Sequence, residues 1–301
     1  MEERLPNLII AGVSKGGSTA LAGYLCQHPD ICQARSQEVF YALARGASEE
    51  ELLPYFRGFR HWRAERYLCE HGATYYFGGQ DVINAIQSRK PEARILITAR
   101  DPVERLWSSF NYKKSKFRLT RDLSFEEFLA ESERRRKAGA ETIPDHVWRE
   151  LAIGFYDHTI VPWLDAFGDR IRVVFFEQWT RDPVLVLTQL CRWLDVSAEP
   201  VRDFNYSVRN RTVLHRNRAM KEASYELNRR LNRLLSRSPR LKDHLRRAYY
   251  ALNADQVSEG MQAETRARVW ETYKASNAEL AHALKTRGYE DLPAWLRDSA
   301  R

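Results

Sequence analysis

The chain has 301 residues, of which 44% are hydrophobic and 12% aromatic. This composition supplies a full hydrophobic core, so it excludes an intrinsically disordered chain. The length fits one large domain or two modest ones, at roughly 100–200 residues per domain. No apolar run approaches the ~18–20 residues of a membrane-spanning helix, and the charged N-terminus lacks the apolar segment of a secretory signal. We therefore expect a soluble, cytoplasmic protein that does not insert into a membrane.

The net charge of +8 is not spread evenly along the chain. Residues 202–247 include 14 basic and 4 acidic residues, a local charge of +10, which leaves −2 for the rest of the chain. A localised basic region favours an anionic partner, although a solvated helix face explains many such runs. A nucleic-acid-binding protein is one interpretation, but the sequence contains no nucleic-acid recognition motif, and we expect no nucleic-acid partner.

The four cysteines, Cys26, Cys32, Cys69 and Cys191, show no CxxC spacing. They are also too few for a disulfide framework in a chain of this length, which excludes zinc ribbons and secreted disulfide scaffolds. We expect reduced thiols that are mostly buried.

The predicted elements alternate between strands and helices. Short apolar runs at residues 8–13, 95–99 and 171–176 are typical of buried parallel strands. Apolar residues at helical spacing predict helices at residues 18–26 and 82–86. Proline at the first helical position predicts that helices begin at Pro102 and Pro183. Ser124 and Glu127 form a capping box, which predicts the start of another helix. Strands that alternate with helices indicate an α/β protein whose mostly parallel sheet is covered on both faces.

From Tyr225 onward the apolar residues recur at helical spacing, which predicts a helical C-terminal cap. No linker rich in glycine, serine or proline interrupts the chain. We therefore expect a single domain over residues 1–301, with an α/β core at about 5–200 and a basic loop and helical cap at about 201–301.

A glycine-rich loop, GVSKGGST at residues 12–19, lies where the first strand passes into the first helix. At this position backbone N–H groups and the helix N-terminus together bind anions, and Lys15 adds a positive charge. A kinase or NTPase loop would read GxxxxGK[ST], but Ser18 occupies the lysine position here. The loop still lies between a strand and a helix, as a P-loop does. The expected fold class is α/β, a P-loop-like parallel sheet flanked by helices.

The Lys-Gly-Gly-Ser-Thr sequence of this loop resembles the 5′-phosphosulfate loop of sulfotransferases that use 3′-phosphoadenosine 5′-phosphosulfate (PAPS). The similarity is greatest to the branch of heparan sulfate sulfotransferases and their bacterial relatives. A second segment, ILITARDPVERLWS at residues 95–108, is similar to the 3′-phosphate motif of that family, a strand ending in Arg-Asp-Pro with a serine eight residues after the arginine.

This resemblance implies transfer of a sulfuryl group from PAPS to a hydroxyl or amine, with 3′-phosphoadenosine 5′-phosphate as the product and no metal. It assigns Lys15 a catalytic as well as a binding role. The nucleotide-binding residues that it implies are Lys15, Gly16, Gly17, Ser18 and Thr19 at the 5′ end, Arg100 and Ser108 at the 3′-phosphate, and Arg209 and Arg211 in a basic closing loop.

The resemblance offers two candidates for the base that deprotonates the acceptor. Glu38 lies in SQEVFY, which matches a Lys-Glu-x-His-Phe-Phe segment of the family but lacks its lysine and histidine. His71 lies in EHGATYY, where the family usually has lysine. A histidine can act as a base near neutral pH, so both residues remain candidates.

The acceptor is expected to be a small molecule or a carbohydrate, and its identity stays open because variable loops build acceptor pockets. The alternative function is a P-loop nucleotide kinase, against which the position of the lysine argues.

Overall fold

The structure is a computed structural model that describes residues 5–34, 38–57, 61–120, 122–139, 147–207, 214–215, 254–255 and 260–300. Two compact units divide the chain. The first contains residues 1–105, 152–209 and 266–301, and the second contains residues 106–151 and 210–265. The expectation of a single domain over 1–301 stays a prediction.

The described strands are β1 (Leu8–Ala11), β2 (Ile31–Gln33), β3 (Tyr67–Gly72), β4 (Arg94–Ala99), β5 (Ile171–Phe175), β6 (Leu214–His215) and β7 (Ala254–Asp255). The described helices are α1 (Ser18–Leu25), α2 (Val39–Ala44), α3 (Glu49–Arg57), α4 (Ala73–Phe77), α5 (Gly79–Arg89), α6 (Pro102–Ser115), α7 (Phe125–Lys137), α8 (Asp157–Phe167), α9 (Phe176–Arg181), α10 (Pro183–Trp193), α11 (Ala263–Lys285) and α12 (Ala294–Arg297). Short 3₁₀ helices occupy Trp148–Glu150, Ala152–Gly154, Gly168–Arg170, Glu199–Asp203 and Asp298–Ala300.

The first unit is built on a parallel sheet of the order β2-β3-β1-β4-β5. Strand β1 is central, with β3 on one side, where Ala11 pairs with Gly72, and β4 on the other, where Ile10 pairs with Leu96. Because all five strands run the same way, the segments that follow them meet at one edge of the sheet. In open α/β sheets this edge, at the point where the strand order reverses, is where ligands bind.

Side chains that alternate along the strands bury both faces of this sheet. Ile9 and Ile97 face a cluster built with α5, α8 and the C-terminal half of α11. Leu8 and Leu96 face the opposite cluster, built with α1 and α10. A parallel sheet covered by helices on both faces is the α/β fold that the sequence predicted.

In the second unit, α7 begins with the predicted capping box. The Ser124 hydroxyl accepts a hydrogen bond from the Glu127 N–H at 3.1 Å, and the Glu127 carboxylate accepts from the Ser124 N–H at 2.8 Å. A buried ion pair joins Lys113 and Glu150 at 2.9 Å. Aromatic rings pack in the same unit, including those of Trp107, Phe110, Phe125, Phe128 and Trp148.

The strands and the helices that the sequence predicted up to residue 193 are present. The sequence did not predict the strands β2 and β3 or the helices α2, α3, α4, α8 and α9. Strand β3 was missed because its sequence, YLCEHG, places a glutamate and a histidine in a fully buried strand. Helix α11 confirms a helix in the C-terminal part of the chain. The predicted helices at residues 225–252 lie outside the described residues, and the short antiparallel pair of β6 and β7 was not predicted.

All four cysteines are free thiols, and all but Cys26 are fully buried, as expected. Within the part of the chain that the structure describes, no helix combines the length and apolar character needed to span a membrane.

Candidate functional site

The glycine-rich loop leaves β1 and turns tightly into α1. The Val13 N–H donates to the Thr98 carbonyl oxygen of β4 at 3.3 Å, and the Gly16 N–H donates to the Val13 carbonyl oxygen at 2.9 Å. Lys15 and Gly17 both have left-handed backbones, with φ of +67° and +90°. The loop therefore reverses direction over four residues and presents its backbone at the carboxyl edge of the sheet.

Two glycines of this loop are required by close packing. A Cβ on Gly12 would lie 2.3 Å from the Ser18 Cβ and 2.5 Å from the Thr98 Oγ1. A Cβ on Gly17 would lie 2.6 Å from Trp179 and 2.8 Å from Phe176, at a φ that already disfavours any side chain. Neighbouring side chains thus pack closely against the loop at both glycines, and this packing stabilises the conformation of the loop.

Helix α1 begins directly after Gly17, and its first amides have no acceptor within the helix. Those amides and the positive end of the helix dipole favour an anion. Lys15 and Ser18 are half-buried beside them, and Thr19 is exposed. The residues predicted for the 5′ end of the nucleotide are thus gathered at one helix N-terminus.

Arg100 reaches the same loop from the end of β4. Its Nη1 lies 3.5 Å from the backbone carbonyl oxygen of Lys15, and its guanidinium lies 4.5 Å from the centre of the Phe176 ring. Its Nη2 is 3.9 Å from a carboxylate oxygen of Glu104, which also pairs with Arg266. The two predicted phosphate motifs, which are separated in sequence, meet through Arg100.

The backbone around Arg100 is held by three further hydrogen bonds. The Tyr156 hydroxyl donates to the Arg100 carbonyl oxygen at 2.8 Å, and the Asp101 N–H donates to a Glu177 carboxylate oxygen at 2.8 Å. The Asp101 carboxylate accepts from the Val103 N–H at 2.9 Å, which caps α6, and burial raises the pKa of Asp101. These contacts fix the direction in which Arg100 leaves the strand.

The structure does not test the other residues predicted for the nucleotide. Ser108 lies in the part of α6 that belongs to the second unit, where it is half-buried. Its approach to the same phosphate as Arg100 therefore stays a prediction. Arg209 and Arg211 lie outside the described residues, as does most of the basic region at 202–247.

Glu38 lies at the start of α2 with a left-handed backbone, φ +82° and ψ +35°. Its side chain lies against Gly72, where a Cβ would come within 2.6 Å of the Glu38 Cγ and Oε1. Gly72 pairs with Ala11, the residue before the glycine-rich loop. Because neighbouring strands are about 4.8 Å apart, the Glu38 carboxylate lies at the sheet edge close to the beginning of that loop.

Glu70 is a buried carboxyl group next to Glu38 to which the sequence analysis gave no role. Its carboxylate accepts hydrogen bonds from the Val39 N–H at 3.2 and 3.3 Å and from the Tyr75 hydroxyl. Burial raises its pKa to about 8, against hydrogen bonds from Tyr75, Val39 and Glu38 that lower it. The sequence signal that could have identified it is a glutamate directly after the short apolar run Tyr67–Cys69, because a carboxyl group in a buried strand needs hydrogen-bond partners.

His71 points to the other face of β3. It pairs with Ile10, whereas Glu70 pairs with Ile9, so the alternation along the strand places Glu70 and His71 on opposite faces. The neighbouring residues on the His71 side, Leu8 and Cys69, belong to the cluster under α1 and α10. Burial lowers the pKa of His71, so its imidazole is mostly neutral at pH 7. The structure therefore separates the two predicted bases.

In the described ranges, no group of three histidine, cysteine, aspartate or glutamate side chains is close enough to hold a metal ion. The donor set at the loop consists instead of backbone amides, hydroxyls, a lysine and an arginine, which is the chemistry of an anion site.

Comparison with known proteins agrees with this geometry. Residues 5–228 match the model of the sulfotransferase domain family. The chain belongs to the sulfotransferase domain family. Within it, the heparan sulfate glucosamine 3-O-sulfotransferase 3A1 of Mus musculus is 29% identical over 183 residues, which are 60% of this chain and 43% of that protein.

A second curated relative of this sulfotransferase-domain chain is the bifunctional heparan sulfate N-deacetylase/N-sulfotransferase 1 of Caenorhabditis briggsae. It is 26% identical over 217 residues, which are 66% of this chain and 24% of that protein. The chain thus spans less than half the length of both curated relatives.

Among solved structures, a sulfotransferase from Alicyclobacillus acidocaldarius superposes with a TM-score of 0.65 at 24% identity. The superposition covers 97% of this chain and 98% of that protein. This similarity shows that the two proteins share a fold.

Proposed function

We propose that this sulfotransferase-family chain transfers a sulfuryl group from PAPS to a hydroxyl or amine of a small-molecule or carbohydrate acceptor. The observation that carries the proposal is the approach of Arg100 to the Lys15 backbone within 3.5 Å. It brings together two anion-binding elements from different strand ends, as a ligand with two separate phosphate groups requires. Family membership over residues 5–228 supports the same function.

The residues at the loop fit the 5′ end of such a donor. Lys15 and the first amides of α1 bind the 5′-phosphosulfate and stabilise the negative charge that grows on the leaving phosphate. Ser18 and Thr19 supply hydroxyl donors, and Gly16 and Gly17 let the backbone come close. When bound, the donor supplies a sulfuryl group on a phosphate leaving group.

Arg100 fits the 3′-phosphate of the donor, because a guanidinium forms paired, charge-assisted hydrogen bonds with phosphate oxygens. Ser108 and the basic residues Arg209 and Arg211 belong to the same proposal as further contacts. The Phe176 ring lies 4.5 Å from the Arg100 guanidinium, a cation–π contact that stabilises the position of that side chain.

Glu38 is the base in this proposal. It lies at the edge of the sheet beside the strand that leads into the loop, and it accepts the proton from the acceptor hydroxyl or amine as that atom attacks. His71 lies on the other face of β3, against the α1 cluster, so it is the second candidate for the role.

The acceptor class follows from the names of the curated relatives, which are heparan sulfate sulfotransferases. A carbohydrate hydroxyl or amine is therefore the first acceptor to test, with small-molecule alcohols and amines second. A cytoplasmic location, expected from the sequence, is part of the same proposal.

Transfer of radiolabel from PAPS tests this function directly. The panel of acceptors is an unsulfated heparan-backbone oligosaccharide, a nitrophenol and a primary alkyl amine, each assayed with Mg²⁺ and with EDTA. We expect label on at least one acceptor at equal rates under both conditions. Label transfer from γ-labelled ATP with a strict Mg²⁺ requirement would instead establish the kinase alternative.

A further inference from the structure

The N-terminus of α2 is capped from outside the helix. The residue before a helix commonly turns its own side chain back to accept from one of the first amides. Glu38 occupies that position, yet among the described residues its side chain makes no such hydrogen bond. The first amide, Val39 N–H, donates to Glu70 instead, and the second, Phe40 N–H, donates to the Tyr75 hydroxyl at 3.4 Å.

Glu70 and Tyr75 act as one unit in this cap. The Tyr75 hydroxyl donates to the Glu70 Oε2, and both side chains are buried, with 2% and 0% exposure. They come from the end of β3 and from α4, which follows it directly. The acceptors for the two orphan amides are therefore supplied by β3 and the helix that follows it.

The cap leaves the Glu38 side chain free for another use. Its left-handed backbone, which residues other than glycine rarely adopt, directs the carboxylate over Gly72 and toward the strand that leads into the glycine-rich loop. If Glu38 capped its own helix, the same carboxylate would turn back toward the amides of α2.

We propose that Glu70, together with Tyr75, is the positioning residue of Glu38: it caps α2 in place of the Glu38 carboxylate and so holds that carboxylate at the edge of the sheet. The inference rests on the proposed function, in which Glu38 accepts the proton of the acceptor. It adds a residue of β3 that acts through Glu38 rather than on the acceptor.

Glu70 itself is not placed to take that proton. Its two carboxyl oxygens are already engaged with Val39 and Tyr75, and its side chain is almost completely enclosed. The ionisable groups that act on it are those of Glu38 and Tyr75, and its neighbour His71 points to the opposite face of the strand.

Hydrogen exchange tests the cap without any ligand. In the unliganded protein, Glu70→Leu should speed exchange of the Val39 amide, and Tyr75→Phe should speed exchange of the Phe40 amide, each by about tenfold, as the loss of one buried hydrogen bond predicts. Tyr76→Phe is the matched control, because Tyr76 is equally buried and its hydroxyl donates elsewhere, to the Ile153 carbonyl oxygen. Unchanged exchange at 39 and 40 in both test variants would overturn the proposal.

A double-mutant cycle tests whether Glu70 acts through Glu38. With the acceptor that takes up label in the screen above, Glu70→Leu should lower kcat by about tenfold in the parent protein and by less than about twofold in the Glu38→Gln variant. Binding of 3′-phosphoadenosine 5′-phosphate should stay unchanged in both backgrounds, which separates positioning from a general loss of structure.

Two outcomes of the cycle would contradict the inference in different ways. An equal loss of kcat in both backgrounds means that Glu70 acts independently of Glu38, and the inference fails while the proposed function stands. A Glu38→Gln variant with full kcat means that Glu38 is not the base, so that part of the proposed function fails and the inference fails with it.

Discussion

The guanidinium of Arg100, at the end of β4, lies 3.5 Å from the backbone carbonyl oxygen of Lys15 in the loop after β1. The two residues are 85 positions apart in the sequence. Their strands are direct neighbours in the sheet, so their following segments leave the same edge side by side. A single ligand with negative charge at two ends can therefore contact both.

Arg100→Ala should remove most of the preference for 3′-phosphoadenosine 5′-phosphate over AMP. The loss of a charge-assisted phosphate contact costs about 1.5–3 kcal/mol, or roughly 10- to 150-fold in affinity. Isothermal titration calorimetry with both nucleotides measures this preference. Arg94→Ala is the matched control, since Arg94 lies at the opposite end of the same strand and stacks on Trp193. Equal affinity of the parent protein for both nucleotides would contradict the assignment.

Gly17→Ala should destabilise the protein more than Gly288→Ala. Both glycines have a left-handed backbone, with φ of +90° and +81°, but only Gly17 has neighbours that a Cβ would meet. The shared strain costs about 1–2 kcal/mol, and the clash with Trp179 and Phe176 adds about 1–3 kcal/mol at Gly17.

Urea unfolding of the two glycine variants measures this difference in the free energy of unfolding. Nucleotide binding gives a second readout, because the shape of the loop should change only in Gly17→Ala. Equal destabilisation in both variants would contradict this prediction, because it would mean that Trp179 and Phe176 move aside for the new methyl group with little loss of free energy.

Glu38→Gln should lower kcat by about 10²- to 10⁴-fold, the usual range for the loss of a general base, while nucleotide affinity stays intact. His71→Ala should cost less, because His71 lies on the other face of β3. Steady-state kinetics with the identified acceptor and calorimetry with the product nucleotide provide the two readouts. A nearly silent Glu38→Gln beside a severely impaired His71→Ala would transfer the role of base to His71.

The parent protein should lose stability relative to Glu70→Gln as the pH rises from about 5 to 8. The pKa of Glu70 is about 8 in the folded protein and about 4.3 in an unfolded chain, so the folded state holds a proton that the unfolded state has released in this range. Stability then falls with pH, by at most about 1.4 kcal/mol per pH unit, and levels off above pH 8.

Denaturant unfolding of both proteins at several pH values measures this linkage. Glutamine does not titrate, so the difference between the two curves isolates the contribution of residue 70. Curves that stay parallel from pH 5 to 8 would show that the carboxyl group titrates normally in the folded state.

The sequence by itself determined the alternating strands and helices and the residue types that make up the proposed anion site. The loop at 12–19 is one continuous segment. Its glycines, lysine and hydroxyl groups therefore lie close together once the flanking strand and helix form. The strand that precedes Arg100 could also be predicted from the sequence, because its apolar run and the proline that follows are local signals. The resemblance to the family was recognised in these same two segments, and the match to the family model extends over residues 5–228.

Only the tertiary structure decided which side chains meet around Glu38. The cap built by Glu70 and Tyr75 joins residues more than 30 positions apart in sequence, and its donors are backbone amides that no residue pattern reveals. The separation of Glu38 from His71 depends on the register of β3 against β1, where a shift of one residue would exchange the two faces. Local sequence encodes each element, but such contacts depend on how the strands align, and packing against both faces of the sheet sets that alignment.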